Sequence, residues 1–468
     1  MDTEQTLRLT KEGGTKRTLL LFGLSLGYFM VLLDTTAVSV ALPAIGADLG
    51  GGMQDLQWVA NAYTIAFAGL LLPMGALADR LGAKRVYLGG LAAFAAASAL
   101  SAAAPGIGGL IALRAALGIG GAALLPASLT LLAQAYPDKA ARARAMGIWA
   151  AATGVAMAAG PVAGGLLVDA AGWRAIFLLN VPPAVFSLIV TNRLAGNPPR
   201  AAGRGLDPAG QLAAVAAIAS LSYALMQGDA DGWRSPRIVA AFAVAAASAA
   251  GFVIAEALVR TPLLPLRLLR KPAVAGGLAA GMTINAALSG LLFALPYYGQ
   301  RAGGLSARDA GLALLPMMVP LAFNPILTGR IVGRIGAKLP MAAGFALAAA
   351  GTLLLALADA QAGSALAIAG LALTGFGVSF AIPSVMTAVI AAVAPEETGT
   401  ASGALNAARQ LGATFGVALV ALVLSRYAEP AAGLHASLLG MAVLLLGGVP
   451  VALFGMGGGR RSRGRGIG

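Results

Sequence analysis

The 468-residue chain has no cysteine, a single histidine (His435), and charge on only 11% of its residues. Without thiols there is neither a disulfide framework nor thiolate chemistry, and one imidazole is too little for a histidine-based metal site or catalytic triad. A Gly-x4-Gly-Lys-Ser/Thr phosphate loop is also missing, which excludes ATP hydrolysis within the chain as an energy source. An enzyme is therefore not expected, and neither is a cofactor. Soluble domains carry roughly 25% charge, so this composition cannot supply an ordinary water-facing surface.

What the chain has in excess is apolar residues, 59% of the total, with 64 glycines besides. A transmembrane helix takes about 20 mostly apolar residues. Runs bounded by charge or Gly/Pro predict fourteen spans: 18–43, 55–77, 85–103, 107–135, 142–168, 173–194, 207–228, 236–258, 272–299, 306–328, 336–358, 364–393, 397–425 and 436–456. The first run is about 25 residues long, beyond the 7 to 15 of a signal-peptide core, and is expected to stay attached as the first span.

Fourteen spans put both ends on one side, and the basic residues say which. Of the 32 Lys and Arg, 24 fall in segments on the side of the termini. Six fall on the other: Arg174, Arg234, Arg237, Arg301, Arg308 and Arg426. Arg114 and Arg409 lie inside spans. This asymmetry predicts a multi-pass protein of the cytoplasmic membrane with both termini in the cytoplasm. Residues 1–17 become a cytoplasmic segment and 457–468 a basic tail, read as a positive-inside anchor rather than an RNA-binding segment. No nucleic-acid partner is expected. One loop dissents: Pro395, Glu396 and Glu397 sit on the basic side with no base nearby in sequence.

An internal repeat organises the chain. Gly75-Ala-Leu-Ala-Asp79-Arg80-Leu-Gly82-Ala83-Lys84 returns as Gly329-Arg-Ile-Val-Gly333-Arg334-Ile-Gly336-Ala337-Lys338, and Gly118, Gly120 and Pro126 return as Gly375, Gly377 and Pro383. Duplication of a six-span unit explains the pattern. It predicts an N-terminal bundle over 18–194, a linker over 195–271 with two inserted helices (207–228, 236–258), and a C-terminal bundle over 272–456. Such duplicated bundles work by rocking one half against the other around a midplane site.

These residues resemble a known family. Gly75 to Lys84 is similar to the loop signature of the major facilitator superfamily, and Leu33-Asp34-Thr35-Thr36 through Leu42-Pro43 resembles the first-span signature of its fourteen-span drug:proton antiporters. Leu113-Arg114 with Gly118 and Gly120, Gly160-Pro161 with Gly164-Gly165, and Trp173-Arg174 with Phe177, Asn180 and Pro182 extend the likeness over nearly the whole chain. Leu117 departs from it where the family pattern has glutamine, and Ala156 where it has glycine. The resemblance implies an all-α membrane fold of two six-helix bundles with two additional central helices. It also implies export of amphipathic drugs driven by a proton gradient, with small molecules, protons and the lipid bilayer as partners of a monomer.

Asp34 is the only carboxylate deep in a span, since Glu256 lies near the end of the eighth. A buried carboxylate is costly when charged unless paired, which suits it to taking up and releasing a proton. Arg114 falls at a comparable depth, so the two are candidates for proton coupling or, alternatively, for a static salt bridge. Arg409, with Asn406 and Gln410 on one helix face, is a candidate for an anionic substrate group, for contact with charged loops, or for a hydrogen-bond hub. Asp79, Arg80, Lys84 and Arg85, with Gly75 and Gly82, are read as an ionic latch on one gate. Gly160, Pro161, Gly164 and Gly165 are expected to bend and seal the fifth span; in the family this motif is associated with antiport direction. Tyr28, Tyr63, Phe293, Tyr297, Phe323, Phe376 and Phe380 are candidate cavity contacts. An importer or dedicated metabolite exporter on the same scaffold remains open, as does a non-transporting membrane sensor.

Overall fold

The computed structural model describes residues 3–196, 208–259, 264–358, 364–394 and 397–455. The described residues form helices and connections: α1 (Thr3–Leu49), α2 (Met53–Leu81), α3 (Ala83–Ala102), α4 (Ile107–Ala135), α5 (Lys139–Ala171), α6 (Arg174–Leu179), α7 (Val181–Leu194), α8 (Pro208–Asp231), α9 (Pro236–Leu258), α10 (Leu266–Leu269), α11 (Pro272–Arg301), α12 (Ala307–Ala313), α13 (Leu315–Ile335), α14 (Lys338–Leu357), α15 (Ala365–Ala391), α16 (Thr398–Arg426) and α17 (Pro430–Phe454). Fourteen segments among them are long and apolar enough to cross a membrane, α6 and α7 together making one. In a bilayer every backbone polar group must be satisfied internally, which restricts an apolar chain like this one to helices. An even number of crossings brings the start of α1 and the end of α17 to one face, the terminal face, opposite a distal face. The basic tail and most of the 195–207 segment lie outside the described residues.

Helices α1–α7 pack as one bundle and α11–α17 as another, while α8 and α9 pair with each other and α8 leans on α2 and α16. The bundles meet where α2 crosses α16, where α5 crosses α12 and α13, and where α1 crosses α11. The repeated glycines occupy matching places. An added Cβ at Gly118 would strike the Tyr63 carbonyl of α2, and one at Gly120 would strike Gly90 and Phe94 of α3. Gly375 meets Met317 of α13 and Gly377 meets Ala348 of α14 in the same way. Both copies thus use small residues to bring three helices into backbone contact, as membrane helices commonly do.

Helix α1 already begins at Thr3, within the segment expected to precede the first span, and three further differences from the sequence expectation bear on the site and its gates. Helix α1 continues through Pro43 to Leu49, because an internal proline removes one hydrogen bond without stopping a helix packed on all sides. Asp34 therefore lies fifteen residues, about 22 Å, from the end of α1, not the nine residues that an end at Pro43 implies. The stretch Gly75–Leu81, expected as loop, is the last turns of α2, and the turn itself is Gly82 at φ +98°. Its repeat counterpart Gly336 has φ +83°, so both copies break the helix at the glycine that tolerates this backbone. The tenth span is interrupted at Leu314, where Pro316 starts a new helix, and it runs on to Ile335.

The seam between bundles is closed on the distal side and open on the terminal side. On the distal half, α5 and α12 touch through Gly165 against Ala307 and through Gly311 against the Pro161 carbonyl. There the Arg308 amide donates to Asp169 Oδ2 at 3.2 Å, and Gln300 Nε2 donates to the Val40 carbonyl at 2.9 Å. Midway, Gly154 of α5 still rests on Ala322 of α13, an added Cβ lying 3.4 Å from the Ala322 carbonyl. One and two turns nearer the terminal face the same two helix sides are bare: Gly147 and Ala150 on α5, Ile326 and Gly329 on α13 are all exposed. The α2–α16 contact persists there, at Leu72 against Gly403.

Candidate functional site

The Arg114 Nη1 group donates to Asp34 Oδ2 in a fully buried ion pair, with the two side chains 1% and 0% exposed. The rest of the site holds both partners. Arg114 Nε donates to the Val59 carbonyl at 2.9 Å, and the guanidinium lies 4.7 Å from the Tyr63 ring centroid. Tyr63 in turn donates its hydroxyl to the Val31 carbonyl at 3.3 Å. The other carboxylate oxygen, Oδ1, accepts from Asn180 Nδ2 at 3.1 Å, and Asn180 also donates to Ser98 Oγ at 3.2 Å. Asn180 sits at the joint between α6 and α7, where Pro182 and Pro183 start the second helix and leave the amide free to turn inward.

A buried ion pair is held only if its geometry is good and its remaining donors and acceptors are met. Here Asp34 satisfies that condition with two partners, Arg114 from α4 and Asn180 from the α6–α7 joint. A small cavity of about 50 Å³ adjoins it, lined by Thr35, Ser39, Asn61, Thr64, Arg114, Ser289 and Phe293 among others. Hydroxyls and amides of both bundles meet in it, and Thr64 bonds Thr414 across the seam at 3.0 Å. A volume of this size admits a few water molecules. Leu117, where the resemblance led one to look for glutamine, is fully buried apolar packing.

Arg409 lies on α16 about 16 Å from its terminal end, facing the seam. Its Nε donates to Asn285 Oδ1 at 3.1 Å and its Nη1 to Asn406 Oδ1 at 3.4 Å. Asn406 is itself oriented by a bond from its Nδ2 to the Ser402 carbonyl at 3.0 Å. The Gln410 side chain takes no part in this network among the described residues. Across the seam Tyr28 stands close enough for electrostatic interaction with Arg409, and it stacks on Trp149 with ring centroids 4.9 Å apart.

The aromatic candidates separate into groups. Tyr28 and Tyr63 are buried at the charged groups; Phe293 lines the small cavity and stacks on Tyr297 at 5.9 Å. Phe380 is half-buried on α15. Phe323 and Phe376 are 67% and 43% exposed, and neither lines the small cavity. Hydropathy alone cannot distinguish these positions, because lipid-facing and cavity-facing aromatics look identical in sequence.

The latch residues are divided too. Asp79 and Arg80 end α2, and Arg80 and Arg85 are exposed at the terminal face. Lys84 instead donates to the Asn192 and Ala195 carbonyls, both at 2.8 Å. It caps the C-terminus of α7 within its own bundle, where a cation meets the negative end of the helix. The acidic loop is not without bases: Glu397 pairs with Arg267 at 2.7 Å and Lys271 at 3.5 Å, both more than a hundred positions away in sequence. Desolvation pushes its carboxyl up, but the Ala394 amide and the two cations outweigh that and hold it below the ordinary value. Pro395 and Glu396 lie outside the described residues. Gly160 and Gly164 press on Thr36 and Ala37 of α1, and Gly165 on α12, so one motif joins α5 to its own bundle and to the other.

Asn180, Ser98 and Asn285 are the residues that reading the sequence left without a role. Asn180 stood among the quoted span-six residues, yet nothing local marked it as a partner of Asp34. Ser98 and Asn285 are ordinary polar residues in apolar helices.

The chain shares 38% identity over 425 residues with a methylenomycin A resistance protein of Bacillus subtilis (strain 168), covering 91% of this chain and 90% of that protein. It shares 36% over 409 residues with the multidrug resistance protein Stp of Mycobacterium tuberculosis, covering 87% and 76% respectively. Among solved structures, a bacterial homolog of the human lysosomal transporter Spinster superposes with a TM-score of 0.68 at 17% identity, over 94% of this chain and 97% of that one. The family description that matches residues 24–417 is that of the Major Facilitator Superfamily, and this chain is a multi-pass membrane transporter belonging to it.

Proposed function

We propose that the protein exports amphipathic small molecules, drugs among them, across the cytoplasmic membrane in exchange for protons, working as a monomer by alternating access. The observation that carries this reading is the Asp34–Arg114 pair, a proton-accepting group and its counter-ion buried at the centre of the first bundle. Intramembrane ions are expensive to keep and mark ion pathways. The resistance roles in the names of the relatives support the choice of cargo. The excess of bases on the terminal face supports placing that face in the cytoplasm.

In the cycle we infer, the terminal-open form admits substrate from the cytoplasm while Asp34 is ionised and held by Arg114 and Asn180. Closing the terminal side and opening the distal seam at Gly165 and Asp169 releases substrate outside. Asp34 then accepts a proton through the small polar cavity. Protonation removes the charge that Arg114 holds, which leaves Arg114 to the Val59 carbonyl and the Tyr63 ring, and the change in pairing favours return to the terminal-open form, where Asp34 releases the proton to the cytoplasm and pairs again with Arg114. One charge moved across 100 mV supplies about 2.3 kcal/mol, enough for roughly a 50-fold substrate gradient, so no bound cofactor is needed. Asp79 and Arg80 act at the terminal gate.

Purified protein in liposomes with an imposed pH gradient tests this directly. Uncharged amphiphiles are to accumulate against their concentration gradient only when the pH gradient is present. Transport unaffected by collapsing it would overturn proton coupling, and transport only down the substrate gradient in both directions would overturn export.

A further inference from the structure

Arg114 is buried and Arg409 half-buried among the membrane helices, and the two are treated differently. Arg114 has a carboxylate; Arg409 has none. The Arg409 guanidinium is fixed by two neutral oxygens, Asn285 Oδ1 on its Nε and Asn406 Oδ1 on its Nη1. An arginine carries five N–H donors, so both donors of Nη2 and the second of Nη1 have no hydrogen-bond partner among the described residues. That free end is a fork of two parallel donors, the geometry that accepts a carboxylate in bidentate fashion. The Asn285 Nδ2 amine adds a donor, since it too has no hydrogen-bond partner among the described residues.

The position suits a ligand. Arg409 is half-buried at about mid-membrane on the seam, on the side of the Gly154–Ala322 contact that opens to the terminal face. Tyr28, stacked on Trp149, stands across from it and offers an apolar aromatic wall. An unpaired cation held at this depth costs free energy that neutral amides only partly offset. A substrate that supplies the missing negative charge removes that cost on binding, whereas a cationic substrate increases it.

We infer that the preferred substrates are amphipathic monoanions, a carboxylate docking on the Arg409 fork with its apolar body against Tyr28 and Trp149. This rests on the exporter reading and names the substrate class for the same cleft.

The test uses matched pairs, 2-naphthoate with 2-naphthamide and biphenyl-4-carboxylate with its primary amide, titrated calorimetrically against the full chain in nanodiscs. The wild type is to bind each carboxylate about tenfold or more tightly than its amide, as one charge-assisted hydrogen-bonded contact supplies. Arg409→Gln is to bring the ratio near one. Arg409→Lys, which keeps the charge but loses the fork, is to fall between. A wild-type ratio near one overturns the inference, as does a ratio that Arg409→Gln leaves unchanged. The wild-type ratio needs no variant, so misfolding of Arg409→Gln cannot protect the idea. A parallel flux measurement with the same compounds in liposomes under a pH gradient separates the two readings. Carboxylate preference without gradient-driven flux keeps the anion site and overturns the exporter, and flux without preference does the reverse.

Discussion

The Arg114 guanidinium closes on the Asp34 carboxylate with both side chains shut off from solvent, and the two residues come from helices that are 80 positions apart in sequence. Removing one partner of a buried pair leaves an uncompensated charge, at a cost of about 3–5 kcal/mol. Arg114→Met should therefore lower the melting temperature in detergent more than the double variant Asp34→Asn with Arg114→Met. Additive losses in this cycle would mean that the two groups do not support one another in solution as they do in the structure.

The two repeat copies make a sharper stability test. Gly82 and Gly336 adopt φ of +98° and +83°, whereas Gly333 has no positive φ and open space where a Cβ would go. Alanine at Gly82 or Gly336, whose ψ of 129° and 170° place them outside the regions open to other residues, should cost about 1–3 kcal/mol, and alanine at Gly333 should be neutral or slightly stabilising in an α-helix. Thermal unfolding of the three variants decides this, and an equal loss at all three would show that the turn is not set by backbone conformation.

How far the sequence carried the reading depends on the kind of feature. Spans were legible because a bilayer demands long apolar runs, and the repeat was legible because glycines that bring backbones together leave a spaced pattern. Helix ends were less so: Pro43 and the amphipathic turns Gly75–Leu81 look like stops, yet tertiary packing carries both through. Pairings across the fold were invisible where only one partner is unusual. Asp34 stood out by being a deep acid, but Asn180 gains its role from the α6–α7 joint that turns it inward, and Ser98 of α3 gains its role from meeting Asn180 there. Lys84 looked like a gate residue because its neighbours are charged, while its bonds run to the end of α7. Glu397 looked unpaired because Arg267 and Lys271 are distant in sequence.

The distal seal gives a conformational prediction. Because Gly165 and Gly311 let α5 and α12 touch, a side chain at Gly165 should force them apart and favour the distal-open form. In this cysteine-free chain, Asp169→Cys with Arg308→Cys should be bridged by a short thiol crosslinker. Adding Gly165→Val should cut the yield severalfold. An unchanged yield would show that the glycine contact does not hold the seal.

Orientation is tested by the same absence of thiols. Arg234 and Arg80 are both exposed, at opposite faces. In intact cells Arg234→Cys should react with an impermeant thiol reagent and Arg80→Cys should react only after permeabilisation. The opposite pattern would place the terminal face outside.

Proton coupling through Asp34 is the central claim, and one comparison addresses it most directly: net transport against exchange in Asp34→Asn. Reconstituted in liposomes, this variant should lose pH-gradient-driven accumulation of substrate, by at least about a hundredfold. It should keep substrate-for-substrate counterflow, because the cavity and both gates remain. Accumulation at the wild-type level under a pH gradient would contradict the account, since the proton would then be carried elsewhere.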